Sequence, residues 1–402
     1  MSISEWMMNQ VDKYLAHNYN PLPVVVTKAR GAWYEDVGGN QILDMLAGYS
    51  VANFGHCHPR ITKAIIEQAS RLVVAPRSLY SDELVEFGQA LAQFCGMDKV
   101  LPSNGGVEAY ETALKISRKW GYDKKGIPRG RAEIIVCYNN FHGRTMGAIS
   151  ASDVPEYKDG FEPLLFGFRW VPFGDSDVLA RLITENTVAF FVEPIQGEGG
   201  INIPPDGYLR EVVSICREHN VLSVFDEIQT GFGRTGYDLA YQYDGEGAKP
   251  DVLIVGKSLG SGLAVSAVVA NNHIMEVMTP GIHGSTYGGN PLACAVAVEA
   301  INILRDEKMS ERSARMGAYF LARLKEIKSP FIQEVRGRGL MIGVELVPSA
   351  GGARRFCEAL LKKGIFCKET HINIIRLTPP LMISRVDIDW ALERIERVLT
   401  KF

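Results

Sequence analysis

Short apolar runs that end in polar residues constrain this chain most. Residues 133–138 (EIIVCY), 188–194 (VAFFVEP), 221–227 (VLSVFDE) and 252–257 (VLIVGK) are dense in β-branched and aromatic side chains. Runs of this length without polar alternation are expected of strands buried on both faces, as when helices cover a parallel sheet. Between the second and third runs, GYLREVVSICREHN carries apolar residues at helical spacing, which makes a strand–helix–strand unit. The expected class is α/β, with a mostly parallel central sheet.

A chain of 402 residues exceeds what one core usually serves. The pattern changes at PLACAVAVEAINILRDE, a long helix with Asn290 as N-cap and Pro291 at its first position. A further helix and the run LMIGVEL follow, as in a smaller α+β domain. The expected division is an N-terminal segment, 1–49, a large domain, 50–305, and a small C-terminal domain, 306–402, to which the N-terminal segment adds.

A formal net charge of −3 gives no field for nucleic acid or an anionic membrane, so small-molecule partners are favoured. No apolar run approaches the roughly 18 residues of a membrane span, and the N-terminal residues lack a basic-then-apolar leader. A soluble, cytoplasmic protein is expected. Seven cysteines, an odd number without small-module spacing, read as reduced thiols. GHCHP places His56, Cys57 and His58 together, but no second cluster supplies the remaining ligands, so no metal is expected.

The segment DVLIVGKSLGSG admits two readings, a nucleotide phosphate loop or a lysine presented for covalent chemistry. A phosphate loop needs a glycine five residues before Gly256, where this chain has Asp251, and a flexible loop where it has Val-Leu-Ile-Val. Lys257 therefore follows the carboxyl end of a strand. Glu193 or its neighbours and Asp226 end two other strands, and ligands of open α/β sheets bind beyond such ends. Taken singly, each reads better as a solvated strand end.

Together they match pyridoxal phosphate, which needs a lysine amine for its aldehyde, an acid facing its ring nitrogen and amides for its phosphate. Lys257 and Asp226 supply the first two. In VLPSNGGVEAYETALKISRKWGY a strand, a glycine turn and a helix starting near Val107 offer the third, through Gly105, Gly106 and Val107. The same piece alone also reads as an ordinary turn into a helix. NNFHGRT puts Phe141, able to stack on a flat ring, and Arg144, able to grip a carboxylate, at the same sheet edge. His142 is read as structural.

These residues resemble the class III pyridoxal-phosphate aminotransferases of fold type I. The likeness runs through HNYNPLPVVV, GYSVANFGHCHP, VLPSNGGVEA, FHGRT, VEPIQGEGG, DEIQTGFGRTG, GKSLGSG, HGSTYGGNP and IIRLTPP, in that order, over nearly the whole chain. It implies that Lys257 bonds the cofactor, Asp226 faces its ring nitrogen, Gln229 donates to its phenolic oxygen, and Phe141 and Ile228 sandwich the ring. It implies that Thr286 reaches the phosphate in a neighbouring subunit, hence a homodimer with shared active sites, or a higher oligomer.

The resemblance also implies a substrate. Tyr19 and Tyr49 resemble the pair that recognises ornithine, with Arg144 holding the α-carboxylate, while Glu198 masks Arg376 until 2-oxoglutarate arrives. The expected reaction is δ-amino transfer from ornithine to 2-oxoglutarate; acetylornithine or 4-aminobutyrate as donor stays open, as does a noncatalytic cofactor carrier. Three departures stand out: the cup reads Asn-Gly-Gly without a hydroxyl, Tyr110 occupies a position where a small residue is common, and no proline follows GKSLGSG.

Overall fold

The computed structural model describes residues 1–401. Its centre is a seven-stranded sheet in the order Lys99–Ser103, Ser266–Ala270, Val252–Val255, Leu222–Asp226, Thr187–Val192, Glu133–Cys137, Phe168–Val171. Ser266–Ala270 runs antiparallel to both of its neighbours, and the pairs from Val252–Val255 onward are all parallel. The four apolar runs of the sequence are thus adjacent strands, and the α/β class with a mostly parallel sheet holds.

Both faces of the sheet are covered, which is why its strands read as continuous apolar runs. Ile134, Val136, Val224 and Ile254 pack with Ala109, Ala113 and Ile116 of the helix Gly106–Trp120. Their neighbours Ile135, Cys137, Phe225 and Leu253 point the other way, toward Leu209 and Val212 of Tyr208–Glu218 and the long helix Pro291–Asp306. Each such fully buried valine, leucine, isoleucine or phenylalanine contributes about 1.5–3 kcal/mol of hydrophobic stabilisation. Asn290 caps the long helix through a 2.9 Å bond from the Ala293 N–H.

Two smaller sheets flank this core. Val26–Arg30, Trp33–Asp36 and Gln41–Asp44 form an antiparallel set, which Ile365–Phe366 joins in parallel, with Ile365 opposite Leu43. The other sheet orders Ile332–Arg338, Met341–Leu346, Ile374–Leu377 and Lys368–Thr370, antiparallel throughout. Its first hairpin turns at Gly339, where a Cβ would lie 2.4 Å from the Thr235 carbonyl carbon. The turn therefore packs backbone to backbone against the loop after Asp226. Among the described residues no helix is long and apolar enough to cross a membrane.

Candidate active site

Parallel strands present their carboxyl ends at one edge, and the chemistry-bearing residues collect there. Val252–Val255 passes through an extended Gly256 into Lys257, which has φ 49° and opens the turn Lys257–Leu259. A left-handed backbone at a residue other than glycine is strained and persists only where its surroundings enforce it. Lys257 lines a cavity of about 180 Å³ together with Gly106, Val107, Phe141, His142, Gly143, Glu193, Asp226, Ile228 and Gln229. Glu193, Asp226 and Lys257, each following a different strand, do converge.

Burial lowers the Lys257 pKa, and Arg376 works in the same direction, although Glu198 and Asp226 oppose them. The site thus favours an uncharged amine more than water does, as a nucleophilic lysine requires. Asp226 is fixed from two sides: its Oδ1 accepts the Ile228 N–H at 3.0 Å and its Oδ2 lies 2.7 Å from His142 Nδ1. His142 is buried, stacks on Tyr110 with ring centroids 4.6 Å apart, and has no partner for Nε2. The sequence reading of His142 as merely structural is therefore corrected; it is a direct partner of the acid. The signal lay in its place between Phe141 and Arg144. Tyr110, the residue that departs from the family pattern, is the shelf on which that imidazole rests.

Glu193 also does more than end a strand. Its two oxygens accept the N–H groups of Phe141 (3.0 Å) and Gly197 (3.2 Å), tying the loop of Phe141 to the loop of Glu198. Burial, with Asp226 adding to it, pushes its carboxyl up to about 7.

The cavity fits pyridoxal phosphate on structural grounds. Gly105 caps the helix Gly106–Trp120, whose Gly106 and Val107 amides have no helical acceptor. A Cβ on Gly106 would come within 3.0 Å of Ile228 Cδ1, and one on Gly197 would collide with Gln229 Oε1, so glycines keep the cradle open. Ser266 Oγ donates to the Gly105 carbonyl at 2.8 Å and braces the turn. Glu108, an acid in the first turn, accepts from Asn104 N and Nδ2. Gln229 Nε2 is buried without a well-aligned acceptor, and its side chain helps hold Glu198 in the charged form.

Beside the cavity, Arg376 and Glu198 form a two-pronged ion pair, with Nη2 to Oε2 at 2.8 Å and Nη1 to Oε1 as the second prong. Arg376 is 1 % exposed and Glu198 28 %. Burial opposes both charges, but the partner outweighs it: Glu198 is lowered and Arg376 raised. The Arg376 guanidinium also lies 5.0 Å from the centre of the Tyr49 ring. Tyr49 and Tyr19 share the wall of a second cavity, about 470 Å³, with Tyr34, Ile42 and Phe366. Neither tyrosine lines the cavity of Lys257. Arg144 is exposed and walls neither of these two cavities. Thr286 is exposed outside the Lys257 cavity.

GHCHP serves the framework. His56 Nε2 meets the buried Asp44 at 2.7 Å, and His58 Nε2 meets Glu307 at 3.2 Å. Among the described residues no group of three or more histidine, cysteine or acidic side chains is placed to hold a metal ion.

The family model for Aminotransferase class-III matches residues 14–399. Ornithine aminotransferase of Geobacillus sp. (strain WCH70) is 51% identical over 399 residues, covering 99% of both chains. The structure of the ornithine aminotransferase from Toxoplasma gondii, in which PLP partly occupies the active site, superposes with a TM-score of 0.96 at 43% identity, covering 98% of this chain and 94% of that one. Acetylornithine aminotransferase from Elizabethkingia anophelis superposes with a TM-score of 0.89 at 41% identity, covering 100% of each.

Proposed function

Since the chain belongs to the class III aminotransferases, we propose that it transfers the δ-amino group of ornithine to 2-oxoglutarate, giving glutamate semialdehyde and glutamate in two half-reactions. The observation that carries this is the ion pair between buried Arg376 and half-buried Glu198 beside Lys257. One pocket has to accept a CH2NH3+ end in the first half-reaction and a carboxylate in the second. A bare arginine favours only the second. Paired with Glu198, Arg376 presents little net charge to the amine; once Glu198 turns away, its planar fork is free for the α-carboxylate. Glu198, the more exposed partner, is the one that moves.

Pyridoxal phosphate supplies an aldehyde that bonds an amine and a ring that takes up the electrons released when a proton leaves the neighbouring carbon. Lys257 would hold it covalently and then, as a free amine, carry the proton at Nζ. Asp226 would face the ring nitrogen, kept in place by His142 and the Ile228 N–H. Phe141 and Ile228 would flank the ring, Gln229 would donate to it, and Gly105, Gly106 and Val107 would offer amides to the phosphate.

Arg144 would take the carboxylate at the far end of either five-carbon substrate, with Tyr19 and Tyr49 beside the α-amino group of ornithine. The protein acts as a homodimer, in which the exposed Thr286 serves the partner's phosphate. All seven cysteines are unpaired, in keeping with a cytoplasmic setting.

Purified, cofactor-loaded protein given ornithine and 2-oxoglutarate is expected to yield a cyclised semialdehyde and glutamate, with acetylornithine and 4-aminobutyrate as weaker donors. Preference for acetylornithine overturns the substrate. Lys257→Ala is expected to lower turnover by at least about 10²–10⁴-fold, and full activity in that variant would end the role of Lys257.

A further inference from the structure

Arg144 is exposed yet closely held. Its guanidinium carbon lies 3.3 Å from the centre of the Tyr157 ring and 5.6 Å from that of Phe141. Among the described residues no ion pair includes it. Contact through the ring face satisfies the cation without using its N–H groups. The N–H edge is what a carboxylate takes, through two parallel bonds in the guanidinium plane. A stacked arginine therefore has its orientation set and its fork unspent.

Both sides of this stack are anchored. Thr145, next to Arg144, caps the helix Met146–Ala151 and donates to Glu111 on the helix Gly106–Trp120. Tyr157 closes the turn Pro155–Tyr157. Just before that turn, Asp153 accepts the Asn139 N–H on both oxygens, at 2.9 and 3.0 Å, which binds the Tyr157 segment to the loop that carries Phe141 and Arg144. Glu111, which Thr145 bonds, also accepts the Gly147 N–H at 3.1 Å. It does not compete for the guanidinium.

We propose that Tyr157 is a specificity-determining positioning residue. Its ring fixes the plane of Arg144 so that the fork meets the carboxylate at the far end of both the amino donor and the oxo acid. This rests on the reading of Arg144 as that receptor. Five-carbon substrates with a distal carboxylate gain from Tyr157; an amine of the same reach without the carboxylate does not.

The test follows the first half-reaction of the cofactor-loaded enzyme under single-turnover conditions, with ornithine and with putrescine, which is ornithine without its carboxylate. Tyr157→Leu keeps an apolar filler and removes the aromatic face. It is expected to weaken the apparent affinity for ornithine about tenfold, with the limiting rate held within about twofold and putrescine unaffected. Tyr157→Phe, which retains the ring, is expected to restore the wild-type affinity. Unchanged ornithine affinity in Tyr157→Leu, or equal losses for both donors, overturns the proposal. A wild-type enzyme that does not discriminate between the two donors overturns the receptor reading of Arg144 instead.

Discussion

Two arginines are almost wholly withdrawn from water, Arg376 beside the cavity and Arg234 in the loop after Asp226, and they are held in opposite ways. Arg234 donates to the carbonyls of Leu340 (2.8 Å) and Pro379 (2.6 Å) and to Asn53 Oδ1 (2.5 Å), so its partners are backbone from distant segments and one neutral side chain. Ser313 adds a bond to the Arg234 carbonyl. Arg376 is held by a single carboxylate on a glycine-containing loop. Fixed neutral acceptors make a strut; a single acid, which the proposed switch would turn aside, would make a latch. A buried charge by itself says nothing about which it is, and the partners decide.

Substitutions can break that contrast. Arg234→Ala is expected to have the largest effect on stability, about 3–5 kcal/mol, because several buried acceptors lose their donor at once. Thermal unfolding would read it, while the half-reaction rate per folded molecule stays near wild type. Arg376→Lys is expected to spare the fold but reduce kcat/KM for 2-oxoglutarate about 100-fold, since an ammonium cannot reproduce the planar fork. If instead Arg376→Lys melts early with normal kinetics, the latch is a second strut. Glu198→Ala should shift the ratio of ornithine δ-transfer to glutamate α-transfer about tenfold toward glutamate. An unchanged ratio removes the acid from specificity.

The substitution with the smallest cost at fixed pH is at Glu193. Its carboxyl rises from 4.5 to about 7 on folding, so the folded state holds this proton more tightly than the unfolded chain. Its contribution to stability is full below the unfolded value and declines as pH climbs toward about 7, by about 3 kcal/mol in all at 1.36 kcal/mol per unit. Glu193→Gln should flatten that decline in melts between about pH 5 and 8, at a cost of about 1 kcal/mol for one lost amide bond. A variant whose profile still falls with the wild-type slope assigns the titration elsewhere.

Legibility in the sequence followed burial. The apolar runs around residues 133–138, 188–194, 221–227 and 252–257 became Glu133–Cys137, Thr187–Val192, Leu222–Asp226 and Val252–Val255, because strands covered on both faces leave an unbroken apolar signature. The helices Gly106–Trp120 and Pro291–Asp306 were announced by a glycine turn and an Asn-Pro start. Val26–Arg30 and Trp33–Asp36 gave no such signal, since their side chains are exposed or half-buried. Ser266–Ala270 is short, made of small residues, and reverses direction inside the sheet, which no local pattern records.

The site divides similarly. Lys257, Asp226 and the glycines could be read because strand ends and turns mark them. The contacts of His142 with Asp226 and of Glu193 with the Phe141 N–H could not, because they join residues 84 and 52 positions apart through the fold alone.

The reversed strand carries a consequence for how this scaffold can change. Val252–Val255, the turn with Lys257 and Ser266–Ala270 make one hairpin, and Ser266 grips the carbonyl of Gly105 at the foot of the anion cradle. The Lys257 turn and the Gly105 turn, the proposed sites of covalent bonding and of phosphate binding, are thus joined by one hairpin. If the proposed roles of Glu198, Tyr19 and Tyr157 hold, their loops can change and retune what is accepted, while the spacing set by the hairpin is left alone.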